Sequence, residues 1–311
     1  MMGNRKETIL HKIKNNLTGP YKNYLKYVFA RGFLFRQMFN KKNSSCSDYL
    51  SIAIIIKNEA PYIREWIEYH LLVGVDRFYV YDIESTDNVL DILQPYIDMG
   101  VVIYQYFPGK DRQVPAYCDA ILKYKYHTRW LAFVDADEFI VPVQKYTLPE
   151  VLRDYEHYPG IGINYAMYDS NGHIKKPNGL VIKNYTNRST DPEYLSNRFI
   201  KSIVNPREVI VVNAHWCLYR FFKWGVDENG ENTKGAITKK QSIKKLRINH
   251  YYTKSKEELL FKINKGAIGT LGRKMPDKIL IDIEEERYNF LITREDRIMD
   301  KYIDEVEEKI H

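Results

Sequence analysis

From Tyr49 onward the chain alternates short runs of consecutive apolar residues with segments whose apolar residues recur every three or four positions. Ser51 to Ile56 is a β-branched apolar run, the pattern of a strand buried on both faces. Pro61 opens a helical segment with Ile63, Trp66, Ile67 and Leu71 on one face, and Gly74 closes it. Arg77 to Tyr81 predicts a second strand, Asp87 caps a helix through Tyr96, and Val101 to Tyr106 predicts a third strand after Gly100. A helix over Val114 to Tyr126 then leads into a fourth strand ending at Asp135. This β-α-β-α order predicts an α/β chain of Rossmann-like architecture, a mainly parallel sheet with helices on both faces.

Past the fourth strand the rhythm changes. Thr147 and Glu150 have the spacing of a capping box, and strand-like runs follow at 160–167, 199–204, 209–212 and 245–251. This mixed half is expected to supply the far wall of a cleft. Ser255 and Glu258 cap a helix through Ala267, and Thr293 starts a last amphipathic helix with Ile298, Tyr302, Ile303, Val306 and Ile310 on one side.

Charge divides the chain unevenly. Residues 1–48 hold ten Lys and Arg against Glu7 and Asp48, or +8 of the net +7, which leaves −1 for the other 263 residues. A body so near neutrality has no bulk attraction to DNA or RNA, so a nucleic-acid partner is not expected. Within the leader, Tyr21, Tyr24, Leu25, Val28, Phe29 and Phe33 recur at helical spacing, with Lys22, Lys26 and Arg36 on another side. Such a basic amphipathic helix suits either an anionic membrane surface, reached through residues 1–42, or a face of the catalytic domain. Asn40 to Asp48 reads as a polar linker, giving a division into 1–48 and 49–311. With 44% hydrophobic and 28% charged residues the remainder is ordinary globular material. No apolar run of membrane-spanning length and no signal-peptide pattern appears, so a cytoplasmic location is expected, with peripheral contact on the inner face of the cell membrane. Cys46, Cys118 and Cys217 lie too far apart to suggest a disulfide framework or a zinc site.

Candidate chemistry concentrates in Trp130 to Phe139, where an apolar run breaks into Asp135, Ala136, Asp137 and then Glu138. An Asp-x-Asp triplet arises by chance roughly once in a few hundred residues. Its place is what distinguishes this one, because ligands of open α/β sheets gather at the carboxyl ends of strands. Two carboxylates one residue apart there can hold a hard divalent cation, whose charge in turn neutralises phosphate. The dinucleotide fingerprint and the Walker lysine loop are both absent, which argues against NAD and lowers a nucleotidyl- or phosphoryl-transfer reading. A non-catalytic binding module that uses the same cleft is the remaining alternative.

Several blocks together make the sequence similar to glycosyltransferase family 92: Lys57 to Glu59, Glu65 to His70, Gly74 and Val75, Tyr81 and Asp82 with Ser85 to Asp87, Gln113 to Asp119, Trp130 to Phe139, Gly172 and His173, Lys201 to Val204, His215, and Asn249 to Tyr251. They run in order over roughly 50–265. Ile83, and the pair Tyr168 and Asp169, depart from the family pattern. The resemblance implies a GT-A fold and an inverting, metal-dependent transfer from a nucleoside diphosphate sugar, expected to be UDP-linked, to a saccharide or glycolipid acceptor in surface polysaccharide synthesis. It implies Mn²⁺ or Mg²⁺ on Asp137, with Asp135 on ribose or metal-bound water and a late histidine, His250 with His215 as alternate, completing the set. Lys57, Glu59, Asp82, Gln113 and Asp119 become donor-side residues, and Lys201 a phosphate neutraliser or an exposed strand lysine. For Glu59 and Asp82 helix capping is the plainer role. An inverting transfer needs a base, for which Asp169 is the candidate, with Asp191 and Glu193 as rivals. Asp169 is otherwise a turn residue before Gly172, which itself either admits a sugar closely or makes that turn. His173 is a further candidate for substrate contact, and His70 reads as a core residue beside Trp66.

Overall fold

The computed structural model describes residues 46–191, 193–265 and 292–311. The basic leader helix and Ala267 therefore lie outside the described residues. Seven elements alternate first: β1 (Asp48–Ile56), α1 (Ile63–Leu72), β2 (Arg77–Asp82), α2 (Val89–Asp98), β3 (Val102–Tyr106), α3 (Gln113–Tyr124) and β4 (Thr128–Phe133). Their strands lie in the order β3-β2-β1-β4, all parallel. Because side chains alternate across a strand, β1 feeds two cores. Leu50, Ile52, Ile54 and Ile56 pack with Trp66 and Ile67 of α1 and Leu93 of α2. Ala53 and Ile55 face Ala116, Tyr117 and Ile121 of α3 on the other side. Each fully buried large apolar side chain contributes about 1.5–3 kcal/mol, so this central strand is the most constrained part of the sheet.

The mixed half follows, with β5 (Glu138–Pro142), α4 (Leu148–Leu152), β6 (Gly160–Met167), α5 (Val181–Asn184), β7 (Asn187–Ser189), β8 (Ile200–Val204), β9 (Val209–Val212), β10 (Cys217–Tyr219), β11 (Gly225–Val226), β12 (Asn232–Thr233), β13 (Leu246–His250), α6 (Lys256–Lys265), β14 (Thr293–Glu295) and α7 (Asp300–Ile310). Strand β8 runs antiparallel between β4 and β6. Strand β6 then forks: Ile161 pairs with β11, while Tyr165 to Met167 pair with β13, which carries β5 on its other edge. The fork opens the sheet at the end where β4 hands over to β5. That end holds the acids.

The α/β architecture with a largely parallel first half and helices on both faces is as expected. Both capping boxes are present, with Glu150 accepting from Thr147 N–H at 2.9 Å and Glu258 from Ser255 N–H at 3.0 Å. Gly74 adopts φ +93°, and a Cβ there would lie 2.8 Å from Pro149 Cδ, so the α1 end and the α4 start pack backbone to ring. Asp87, just before Asn88 and α2, does both jobs: one carboxylate oxygen accepts from Val89 N–H at 3.3 Å and caps the helix start as expected, while the other accepts from Ala60 N–H at 2.9 Å and ties the first two strand-end loops together. Three expectations are corrected. The fourth strand stops at Phe133, leaving Asp135 and Asp137 in the turn before β5, a strand the pattern reading did not separate from the motif. Thr293 starts no helix: 293–295 pairs antiparallel with β7, and the last helix begins at Asp300. The reason is Asp296, which is drawn inward by Arg188 and Arg247 and accepts from Ile298 N–H, so the chain turns before helix can form. Lys201 is 1% exposed, which removes the exposed strand lysine alternative. Among the described residues no helix is long and apolar enough to cross a membrane.

Candidate active site

Residues 134–137 form the turn between β4 and β5, and its shape is fixed by the acids themselves. Glu138 Oε2 accepts from Asp135 N–H at 3.0 Å and Asp135 C=O from Glu138 N–H at 3.1 Å. Behind the turn, the Trp66 indole donates to Glu138 C=O at 2.8 Å. In the β5-β13 register His250 lies opposite Glu138, and Tyr251 N–H donates to Asp137 C=O at 2.9 Å. Strand pairing thus carries a histidine more than a hundred residues away onto the acids.

Three cations of different character face them. Lys201, on β8, bonds Asp135 Oδ2 at 2.8 Å and lies 3.6 Å from Glu138 Oε2. Burial alone would lower its pKa, but Asp135 and Glu138 outweigh burial and raise it. The ammonium is locked in its charged form. Gln113 at the start of α3 donates to the other Asp135 oxygen at 3.2 Å. Glu138 is fully buried and also accepts from Tyr165 Oη at 2.7 Å; burial raises its pKa despite Lys201. Lys262, on α6, bonds Asp137 Oδ2 at 2.6 Å while 33% exposed. Burial pushes the Asp137 carboxyl upward, but Lys262 and His250 prevail and hold it well below the usual carboxylate range. Lys254, in the loop before α6, is buried with its Nζ 3.9 Å from the centroid of the Tyr62 ring and its backbone left-handed at φ +51°. Burial lowers its pKa while Asp137 and Glu59 oppose that shift.

Asp137, Glu138 and His250 converge: one ligand atom from each lies within 4.8 Å of the others. His250 Nε2 stands 3.6 Å from Asp137 Oδ1 and 3.9 Å from Glu138 Oε1, beyond hydrogen-bond range. Its Nδ1 is buried without a hydrogen-bond partner, so no such bond explains where the ring sits. Packing against Tyr165, with ring centroids 4.7 Å apart, does. Two carboxylates and an imidazole are the donor set of a borderline-hard divalent ion such as Mn²⁺, and the residues fit one. The grouping takes in Glu138, while the two oxygens of Asp135 are bonded to Lys201 and Gln113.

The other candidate residues scatter around this corner. Glu59 lies near enough for its charge to act on Lys254 and Lys262, and Lys57 is partly exposed at the end of β1. Asp82 is buried, and its two oxygens accept from Ser85 N–H at 2.9 Å and Tyr104 Oη at 2.7 Å. Asp119 is bound by Tyr81 Oη at 3.0 Å and Lys123 at 2.8 Å. His215 is held by Ile200 C=O at 3.1 Å; burial, then Lys201, lower its pKa to about 4. Asp169 accepts from Asn171 N–H at 2.7 Å, the turn it was expected to make, and burial raises its pKa. Asp191 likewise accepts from Glu193 N–H, and the His173 ring packs edge-on to Tyr185. Gly172 takes φ +76° with open space where a Cβ would be, so the left-handed turn by itself accounts for a glycine here. His70 is the expected core histidine, bonded through Nδ1 to Trp66 C=O at 2.8 Å. Sequence reasoning missed Tyr165, Lys254 and Lys262. Tyr165 lies in an unbroken strand pattern and the lysines in a capped helix region, so only tertiary pairing marks them.

The α/β sheet thus opens onto one fully buried acid, two partly exposed ones, a histidine and lysines. The family model of glycosyltransferase family 92 matches residues 50–310, and the chain belongs to that family. A family 92 protein of Oryza sativa subsp. japonica is 28% identical over 179 residues, 56% of this chain and 31% of its own length. A protein of Arabidopsis thaliana named galactan beta-1,4-galactosyltransferase is 27% identical over 169 residues, 49% of this chain and 32% of its own. The chain thus spans about a third of the length of the curated relatives it matches. Among solved structures, S. aureus TarS matches with TM-score 0.34 and 17% identity over 51% of this chain and 47% of its own. Mycobacterium tuberculosis glucosyl-3-phosphoglycerate synthase, in complex with Mn²⁺ and UDP, matches with TM-score 0.27 and 18% identity over 41% and 50%. Likenesses this partial leave the site to be argued from the chain's own geometry.

Proposed function

We propose that the protein is an inverting GT-A glycosyltransferase that moves a sugar from a nucleoside diphosphate sugar, UDP-linked in the first instance, to a saccharide or glycolipid acceptor. The observation that carries this reading is the convergence of Asp137, Glu138 and His250 at the open end of the sheet, flanked by lysines. Family membership supports it. A relative named as a galactan galactosyltransferase favours a saccharide acceptor and a place in polysaccharide synthesis.

Asp137, Glu138 and His250 would hold Mn²⁺ or Mg²⁺, with Asp135, kept in place by Lys201 and Gln113, directed to ribose or to water on the ion. When bound, the ion would supply a Lewis acid for the departing diphosphate. Lys254 and Lys262 add positive charge on the same side, toward the charge that grows on the leaving group as the anomeric bond breaks. Glu59 and Lys57, with Gln113, border the donor side from the strand ends, while Asp82 and Asp119 act one step back through the bonds that fix those loops. Asp169, a half-buried carboxyl just beyond β6, is assigned the acceptor's proton. Peripheral membrane contact is assigned to residues 1–42.

The test is thermal stabilisation of the full chain by UDP with Mn²⁺, followed by release of UDP from a panel of UDP sugars. Stabilisation that requires both components and disappears in Asp137→Ala is expected. Undiminished stabilisation in that variant would remove the metal role from this corner.

A further inference from the structure

The two lysines that touch the acids are held in different ways. Lys201 is 1% exposed and spans Asp135 and Glu138 from within a strand. It has nowhere to go. Lys262 reaches Asp137 from a helix, remains 33% exposed, and has three weak hosts besides its one carboxylate. Its Nζ lies 3.2 Å from Tyr252 C=O and 3.6 Å from the Tyr252 ring centroid, and Glu59 adds a more distant attraction. A flexible four-carbon stem on a side chain that stays one-third exposed can swing its ammonium between neighbouring partners.

Asp137 is divided between two sides. Oδ2 is taken by Lys262 at 2.6 Å, while Oδ1 faces His250 at 3.6 Å. A divalent ion shared with Glu138 and His250 would sit beside the ammonium, and two cations on one carboxylate repel each other. An ammonium displaced from Asp137 stays tethered a few ångströms away, beside buried Lys254, at the place where a donor's diphosphate would bring new negative charge.

We propose that Lys262 is the exchangeable counter-ion of this site, bound to Asp137 in the free protein and transferred to the diphosphate of the donor when Asp137 turns to a divalent cation. This rests on the donor-site reading above. By reciprocity, whatever Lys262 contributes to holding Asp137 must weaken ion binding by the same factor, and its later contact must strengthen nucleotide binding.

The experiment measures free Mn²⁺ by electron paramagnetic resonance during titration of the full chain without nucleotide, then UDP affinity at saturating Mn²⁺, for the wild type, Lys262→Met and Lys262→Arg, each checked for folding by circular dichroism. In Lys262→Met, Mn²⁺ should bind more tightly by on the order of tenfold and UDP more weakly by on the order of tenfold, a usual size for coupled sites. Lys262→Arg should keep UDP binding near wild type. Equal or weaker Mn²⁺ binding in Lys262→Met overturns the counter-ion role, and tighter Mn²⁺ with unchanged UDP affinity overturns the transfer to diphosphate. Absence of Mn²⁺ binding in the folded wild type and in both folded variants overturns the donor-site reading itself, and the exchange with it.

Discussion

Strand β13 contributes to two ion clusters, and they are built for opposite ends. On one side Arg247 makes two bonds to Asp296, 2.9 and 2.8 Å, and further bonds to Asn249 and Tyr168, while Arg188 closes on the same carboxylate at 2.6 Å. Every group in that clasp faces a fixed protein partner, and its effect is to lock β14 and the start of α7 onto the core. On the other side His250 reaches Asp137 and Glu138 only at 3.6 and 3.9 Å, and Nδ1 has no hydrogen-bond partner. Saturated bonding makes a structural joint; incomplete bonding among buried charges leaves a site that a ligand can complete.

The largest effect that would break this contrast concerns the two carboxylates. Asp296→Asn should destabilise the fold by about 3–5 kcal/mol, since two arginines lose their counter-charge, one of them buried. Asp137→Asn should change stability by no more than about 1 kcal/mol, because Lys262 can turn to water. Denaturant titration of both variants checks the pair, and equal losses would erase the distinction. The acid limb adds a sign. Although burial opposes it, bonding to Arg247 and Arg188 holds the Asp296 pKa well below its ordinary 3.8. Such a carboxylate contributes stability that is present above that value and lost as pH falls below it, so Asp296→Asn should flatten the fall in stability below about pH 4.

His70 sharpens the comparison from behind the site, where its Nε2 accepts from Ile140 N–H of β5 at 3.3 Å. Burial lowers its pKa from 6.5 to about 3. The unfolded chain then binds the extra proton between these values, and stability should fall by up to roughly 1.4 kcal/mol per pH unit as pH drops through that window. Thermal melts of His70→Gln should show a shallower slope between about pH 6 and 4, both of which lie inside the window; an unchanged slope would remove His70 as its source. Tyr165, whose hydroxyl restrains Glu138, tests stability and ion binding together. Tyr165→Phe should cost about 1.5–3 kcal/mol, the range for hydrogen bonds to charged groups, and weaken Mn²⁺ binding. Unaltered Mn²⁺ affinity would show that Glu138 needs no such restraint.

How much was legible follows from the range of the interactions involved. The first seven elements are written in local periodicity, and their bounds shift by at most a few residues. Both capping boxes are local too. The errors fall where distant chain overrides local pattern: 293–295 becomes a strand because β7 and two arginines claim it, and β5 hides inside the acid motif because its partner lies a hundred residues on. Asp135, Asp137 and His250 could be singled out as chemistry. That Glu138 rather than Asp135 joins Asp137 and His250, or that Lys262 answers Asp137, could not be read from residue type or spacing.

By itself, then, the sequence determined the alternating α/β half, the acid motif that follows its fourth apolar run, and membership in a family whose blocks it carries in order. Tertiary structure alone decided which charges meet. The physical reason is that strand register and the β6 fork set ångström-scale distances between groups far apart in the chain, and electrostatic roles depend on those distances and on burial rather than on position in the sequence.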